Sequence, residues 1–323
     1  DGDVEIDGGT TNLVIGLSTI DGDLDLLSGG TITDDGIATV RGTLTATTDA
    51  SNSAITLNQL AVDDAFTLAP HGTGAVTIVN DAGLELAAST LGGTFSGTAT
   101  TGHITQSGAL AITGTSTLVT SADDGTIDLK VSSITNAFTG KLLITTNDSG
   151  SGTDGDVEID GGTTNLIIGA STIDGDLTLR SGGTITDDGI ATVRGNLTAT
   201  TDANNSDITL DSLEVGGAYI LTVHGTGIVT IVNATGLDFA PMTVRGAFSA
   251  TATTGNITQS GALAITGTST LVTLADNGTI TLNDADNAFT GKLLITTNDN
   301  SSPYTAHVSV DGGTTNLIIG TST

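Results

Sequence analysis

ITQSGALAITGTSTLVT, residues 104–120, recurs letter for letter at 257–273. Its apolar residues alternate with Thr or Ala, the two-residue period of a half-buried strand, and the SG and TG pairs break it into short pieces. The same style runs through the chain. VEID, LVIG, DLDL, TIT, LTAT, ITL, VTIV, LEL, GTFSGTA, LAIT, TIDL and KLLITT are separated by Gly, Asp, Asn and Ser. No stretch shows a helical period with caps.

The recurrence at 257 belongs to a longer one. DGDVEIDGGTTNL begins at Asp1 and again at Asp154, VRG at Val40 and Val193, and each pair is 153 residues apart. AFTGKLLITTND begins at Ala137 and Ala288, an offset of 151, so the second copy is two residues shorter before that phrase. A third copy opens with VDGGTTNLIIG at Val310. The copies are read as 1–153, 154–304 and the start of a third at 305–323, one continuous solenoid. Because residue 1 lies inside a recurring motif, the chain is expected to be an internal window of a longer protein.

Within a copy, an apolar residue follows a Thr- or Ala-rich turn at Ile20, Val40, Phe66, Leu91, Leu118, Phe138 and then Ile173. The intervals of 20, 26, 25, 27, 20 and 35 residues predict about six coils per 153-residue repeat, with a loop insertion near 147–153. One coil of short strands cannot bury its own apolar face. The next coil, stacked about 4.8 Å away, completes the ladder and covers it. The expected fold is all-β: a right-handed parallel β-helix, or β-solenoid, with Val, Ile and Leu inside and Thr outside. A string of immunoglobulin-like sandwiches is the alternative, but it lacks the buried Trp and the tyrosine corner of that fold.

Composition fits a narrow aliphatic core. Aromatics are 2% of the chain, with no Trp and two Tyr, and Gly is 45 of 323 against 3 Pro. Lys plus Arg is 7 against 36 Asp plus Glu, a net charge of −29. Such a chain offers no basic patch to nucleic acid or to an anionic membrane. Its charge favours solubility and discourages edge pairing. There is no Cys, hence no disulfide or thiolate site, and no apolar run long enough to insert in a membrane.

At ITQSGALAITGTSTLVT, followed by GTIDL and NAFTGKLLIT, the sequence resembles the repetitive shafts of filamentous-haemagglutinin-like bacterial exoproteins and related giant adhesins. The resemblance covers nearly the whole chain in style and these phrases most closely. It implies a right-handed parallel β-helix, export to the bacterial cell surface, and adhesive or scaffolding work. The partners expected of a periodic shaft of this kind are other copies, in filaments or lateral bundles, and a host or neighbouring cell surface.

Acidic turns are the first site candidates: Asp1 and Asp3, Asp21 and Asp23, Asp34 and Asp35, Asp123 and Asp124, with Asp154, Asp156, Asp174, Asp176, Asp187 and Asp188 repeating several of them. IDGDL, at 20–24 and 173–177, makes Asp21, Asp23, Asp174 and Asp176 the candidates for Ca²⁺. Calcium needs six to eight oxygens, and one DGD turn brings two carboxylates. The reading that carries more weight is solvated turn aspartate.

His71 and His224 occupy matching HGTG phrases, and His103 is replaced by Asn256; all are read as turn or surface residues. Arg41, Arg194, Arg245, Lys141 and Lys292 are expected to pair with nearby carboxylates or to set lateral contacts. Phe66, Phe95, Phe138, Phe248 and Phe289 are read as inward rings, with Tyr219 in the place of Phe66.

No phosphate loop or nucleophile elbow occurs. The chain is therefore expected to be a non-enzymatic structural fibre or adhesin shaft. A carbohydrate-active β-helix enzyme would need two carboxylates singled out at one groove. An ice- or mineral-binding solenoid would need regular TxT on every coil, against which the uneven intervals count.

Overall fold

The structure is a computed structural model that describes residues 2–130, 135–147, 149–150, 154–300 and 305–322. Asp1, part of the expected loop insertion (148 and 151–153) and Thr323 lie outside the described residues. The chain divides into two units, Asp1–Ile167 and Ile168–Thr323. Among the described residues there are strands and turns but no helix, and hence none long and apolar enough to cross a membrane.

The first unit is a parallel β-solenoid. One face is built by Val4–Asp7, Leu24–Ser28, Leu44–Thr48, Ala65–Ala69, Leu84–Leu86, Ile104–Gln106, Ile127–Leu129 and Val157–Asp160. Each strand pairs in parallel with the next, in register: Val4 with Leu24, Leu24 with Leu44, Leu44 with Phe66, then Leu84 with Ile104, Ile127 and Val157. A second face stacks Ile32–Asp34, Ile55–Val62, Val76–Asn80, Phe95–Ala99, Ser116–Asp123 and Lys141–Asn147. A narrow third face stacks Ser89–Leu91, Leu110–Ile112 and Ala137–Phe138.

The second unit repeats this plan. Its first face runs from Leu177–Ser181 through Leu197–Thr201 and Ala218–Val223 to Val308–Val310, and its second from Ile185–Val193 to Lys292–Asn298. Met242–Val244, Leu263–Ile265 and Ala288–Phe289 form the short third stack.

Strand after strand reads buried, half-exposed, buried. Leu44–Thr48 and Phe95–Ala99 are examples, with the aliphatic or ring side chains inward. Register therefore places like on like. Ile32, Ile55, Val76 and Phe95 form one inward column that continues through Ser116 to Leu142, and all six are essentially inaccessible. Phe66, Phe95, Phe138, Phe248 and Phe289 all point inward, and Tyr219 fills the slot of Phe66, as expected from the sequence.

Two expectations need correction. Counted along the first face, rungs begin at residues 4, 24, 44, 65, 84, 104 and 127, and the next begins at 157. A 153-residue copy therefore holds seven coils, not six. The marker residues were not one column: Ile20 and Val40 lie on the second face, Phe66 on the first, and Leu91 and Phe138 on the third.

Nor do uneven intervals disturb the surface. The extra residues sit in corners, so Thr33, Thr56, Thr77, Ser96 and Thr117 still fall in one outward column. Two residues further along these strands stand Asp35, Asn58, Val79, Thr98 and Val119, so the column is single and forms no TxT array.

Candidate functional site

The chemistry-bearing side chains gather at corners, where the backbone turns from one face to the next and each rung must be tied to its neighbour. The turn aspartates do this tying. Asp3 Oδ1 accepts from the Asp23 amide at 3.0 Å, and Asp23 Oδ1 accepts from the Thr43 amide at 2.8 Å. In the second copy Asp176 Oδ1 accepts from the Asn196 amide at 2.6 Å, and Asn196 Oδ1 takes the Ala218 amide at 2.9 Å. Each carboxylate or carboxamide thus staples the rung that follows it.

Asp34 and Asp187 do the same on the second face. Asp34 Oδ2 accepts from the Gln59 amide at 2.7 Å; Asp187 accepts from the amides of Asp211 and Ser212 at 3.1 and 2.8 Å. Burial outweighs these bonds at Asp187 and raises its pKa above the ordinary carboxylate value. Asp123 is solvent-exposed, and its pKa is lowered by the amide and then the hydroxyl of Ser149, at 2.6 and 2.8 Å.

Asparagine supplies a parallel set of staples. Asn12, Asn52, Asn205 and Asn256 each accept, through Oδ1, the amide of a Thr one rung on, at 2.8–3.0 Å. His103, which stands where the second copy has Asn256, fills the same role: its Nδ1 accepts from the Thr126 amide at 3.0 Å. A histidine and an asparagine exchange here because both present one acceptor at the same reach.

Of the calcium candidates, Asp21 pairs with Arg41 at 3.2 Å and Asp174 with Arg194 at 3.3 Å. Asp23 and Asp176 are the staples just described. Among the described residues no three His, Asp or Glu side chains form a group that could hold a metal ion. Arg180 pairs with Asp202 at 2.6 Å, and Lys130 pairs with Glu158. Asp174 is largely covered; the other partners are partly to well exposed, and such pairs contribute little singly. Arg245 has no carboxylate partner among the described residues.

The buried amides were not foreseen. Asn136 is wholly enclosed and holds three rungs together. Its Oδ1 accepts from the Leu110 amide at 2.9 Å and Gln106 Nε2 at 3.1 Å; its Nδ2 donates to Gln106 Oε1, Leu129 O and Asp160 O at 2.9, 3.2 and 3.0 Å. Asn287 repeats the clasp with Gln259, Leu263, Leu282 and Asp311. Asn80 and Asn233, also buried, each bond both backbone groups of one residue on the preceding rung, Val62 and Val215. The available signal was a polar residue on the inward phase of VTIVN, at 76–80 and 229–233, kept in both copies.

Cavities are shallow. Three grooves of about 270, 300 and 280 Å³ lie along the corners. Parallel rungs, an aliphatic interior and corners stapled rung to rung define a repeat β-solenoid protein. The chain belongs to the family described as "Repeats of unknown function (DUF5649)", which matches residues 1–68, 73–145, 154–222 and 226–296. No curated protein and no solved structure matches it.

Proposed function

We propose that the chain is part of an extracellular structural fibre or adhesin shaft at the bacterial cell surface, which works through its backbone and not through catalysis. The observation that carries this reading is the in-register ladder within each unit. Leu24–Ser28 alone pairs five residues with Leu44–Thr48, and the next strand continues the register. Force along such a stack is shared among several bonds per rung, and the carboxylate, asparagine and histidine staples add bonds where turns would otherwise leave the rungs untied. The resemblance to filamentous-haemagglutinin-like shafts points the same way.

The partners in this reading are other copies, in filaments or lateral bundles, and a host or neighbouring cell. At a charge of −29 the copies repel, so lateral association strengthens as salt screens them. The test is immunogold microscopy of intact producing cells with antibodies to this chain. Label on surface fibres before permeabilisation is expected; label that appears only after permeabilisation refutes the proposal. Incubation with acidic and neutral polysaccharides should release no new reducing ends, and turnover there would refute the non-enzymatic part.

A further inference from the structure

We infer that the second unit carries a binding groove for a carboxylate-bearing sugar, formed by Thr200, Thr222, Thr243, His224 and Arg245. The inference goes beyond the structural role and rests on a cavity, a register and an unpaired cation.

Strand pairing aligns Arg180 with Thr200, Thr200 with Thr222 and Thr222 with Thr243. Side chains two residues further along each strand lie on the same face. That places Asp202, His224 and Arg245 in a second column beside the first. The groove between and over these columns has a volume of about 270 Å³, near the lower end for small-ligand sites and enough for about one sugar ring.

The charges are arranged for an anion. Asp202, the carboxylate on the rim, is neutralised by Arg180 at 2.6 Å. Arg245 faces the groove with no carboxylate partner among the described residues, in a chain where 7 cations stand among 36 acids. A guanidinium fork binds a carboxylate through two parallel hydrogen bonds. The three Thr hydroxyls, one per rung, both donate and accept, which suits the hydroxyl groups of a sugar.

The first copy shows that this is not a generic product of the repeat. His71, Thr47 and Thr90 keep their places there, but Leu27, Ala69 and Gly92 stand where the second copy has Arg180, Thr222 and Arg245. A side chain at Gly92 is barred, because its Cβ would fall 2.2 Å from the carbonyl oxygen of Gly72. The cationic groove is therefore particular to the second copy. An acidic turn of another copy is the competing occupant. Bringing a second copy against the first sets two chains of net charge −29 side by side, whereas a sugar ring brings one charge.

The test titrates the full chain with a uronate-containing disaccharide and, in parallel, with its neutral counterpart, followed by calorimetry. Saturable binding of the acidic sugar is expected, weaker binding of the neutral one, and a decline as salt rises. R245Q should weaken the acidic sugar about tenfold, the loss of one charge-assisted contact, and keep the parent's melting temperature because Arg245 is exposed. T222A should weaken both sugars. Absence of saturable binding, equal affinity for the neutral sugar, or equal affinity of R245Q overturns the inference. So does an Arg245-dependent dimer in sedimentation without sugar, which would assign the groove to a second copy.

Discussion

Asn136→Ala tests how much of this fold depends on buried amides. The carboxamide makes five hydrogen bonds that reach residues 106, 110, 129 and 160. Truncation strands the Leu110 amide, the Leu129 and Asp160 carbonyls and Gln106 Oε1, while Gln106 Nε2 keeps the Gly108 carbonyl at 3.2 Å. Each stranded buried group costs about 1–3 kcal/mol. The sum is not reached, because the vacated space is faced by these polar groups and can admit a water that restores two or three bonds. A loss of about 2–4 kcal/mol is the net expectation. Asn136→Asp should be worse: it keeps the acceptor for Leu110 but turns a buried carboxylate toward two carbonyls. Gln106→Ala should be milder, about 1 kcal/mol, since Gln106 touches the rim of the cavity.

Solenoids unfold by sections, so one global midpoint is too coarse. The assay is amide exchange read residue by residue, alongside urea denaturation. Protection should fall around 104–112, 127–130 and 135–138, whereas the matching clasp at Asn287 keeps its region protected. Asn287→Ala should reverse the pattern. If Asn136→Ala shifts stability by less than about 0.5 kcal/mol, the range of an ordinary surface change, and leaves exchange at Leu110 unaltered, the amide is not holding the rungs and the argument fails.

Tyr219→Phe should stabilise the chain by about 1–3 kcal/mol in the same denaturation assay, because the buried hydroxyl has no partner and the first copy already has Phe66 in that slot. The rings of Tyr219, Phe239 and Phe248 should keep their centroid spacings of 6.0 and 5.2 Å. Gly114→Ala should cost about 1–3 kcal/mol, since its Cβ would fall 2.3 Å from the carbonyl oxygen of Gly93 directly beneath and the backbone must move; an unchanged melting temperature would contradict this close approach. His103→Asn should be neutral within about 0.5 kcal/mol, and His103→Leu should loosen exchange at the Thr126 amide. The pKa of Asp187 is raised in the folded state, so the folded chain holds its proton more tightly than the unfolded chain. Its contribution to stability is full below the unfolded value and is lost as pH rises through the folded one. Stability of the parent relative to Asp187→Asn should therefore fall on raising the pH through the carboxylate range; a rise would reverse the sign of the assignment.

What the sequence made legible was what repeats. Two-residue alternation marks the strands, and a phrase kept 153 residues away marks the copy. The inward rings follow from the same alternation. What it hid depends on which face a strand occupies. Ile20, Phe66 and Leu91 look alike as apolar residues after a turn, yet lie on three faces. The groove at Arg245 was hidden for the same reason: Arg180, His224 and Arg245 are distant in sequence and meet only through the pairing of Thr200 with Thr222 and Thr243. Asn136 could have been noticed, because an asparagine precedes AFTG in both copies, but its burial was not apparent from an otherwise polar corner.

The family repeat and the coil are out of step, and that mismatch accounts for the 153-residue period. Matches within a copy begin 72 residues apart, at 1 and 73. Ile32, on the second face, then corresponds to Ile104 on the first, and Leu44 on the first to Ser116 on the second. One family unit is three and a half rungs. The same turn consequently serves opposite corners. Thr48 Oγ1 bonds Ser53 O at 3.3 Å where the chain passes from first face to second; Thr120 Oγ1 bonds Gly125 O at 2.9 Å where it passes from second to first. Asn52 and Asp124 hold positive φ at these two corners, and Asn205 and Asn277 do so in the second copy. A turn can serve both corners because each face presents the same thing to the interior, a strand of alternating aliphatic residues in a parallel stack. Only after two family units, seven rungs, does a residue return to its original face and meet the same neighbours above and below. Near-identity is therefore expected at 153 residues and only likeness at 72, as ITDDGIATVRGTLTATT at 32–48 beside ITQSGALAITGTSTLVT at 104–120 bears out.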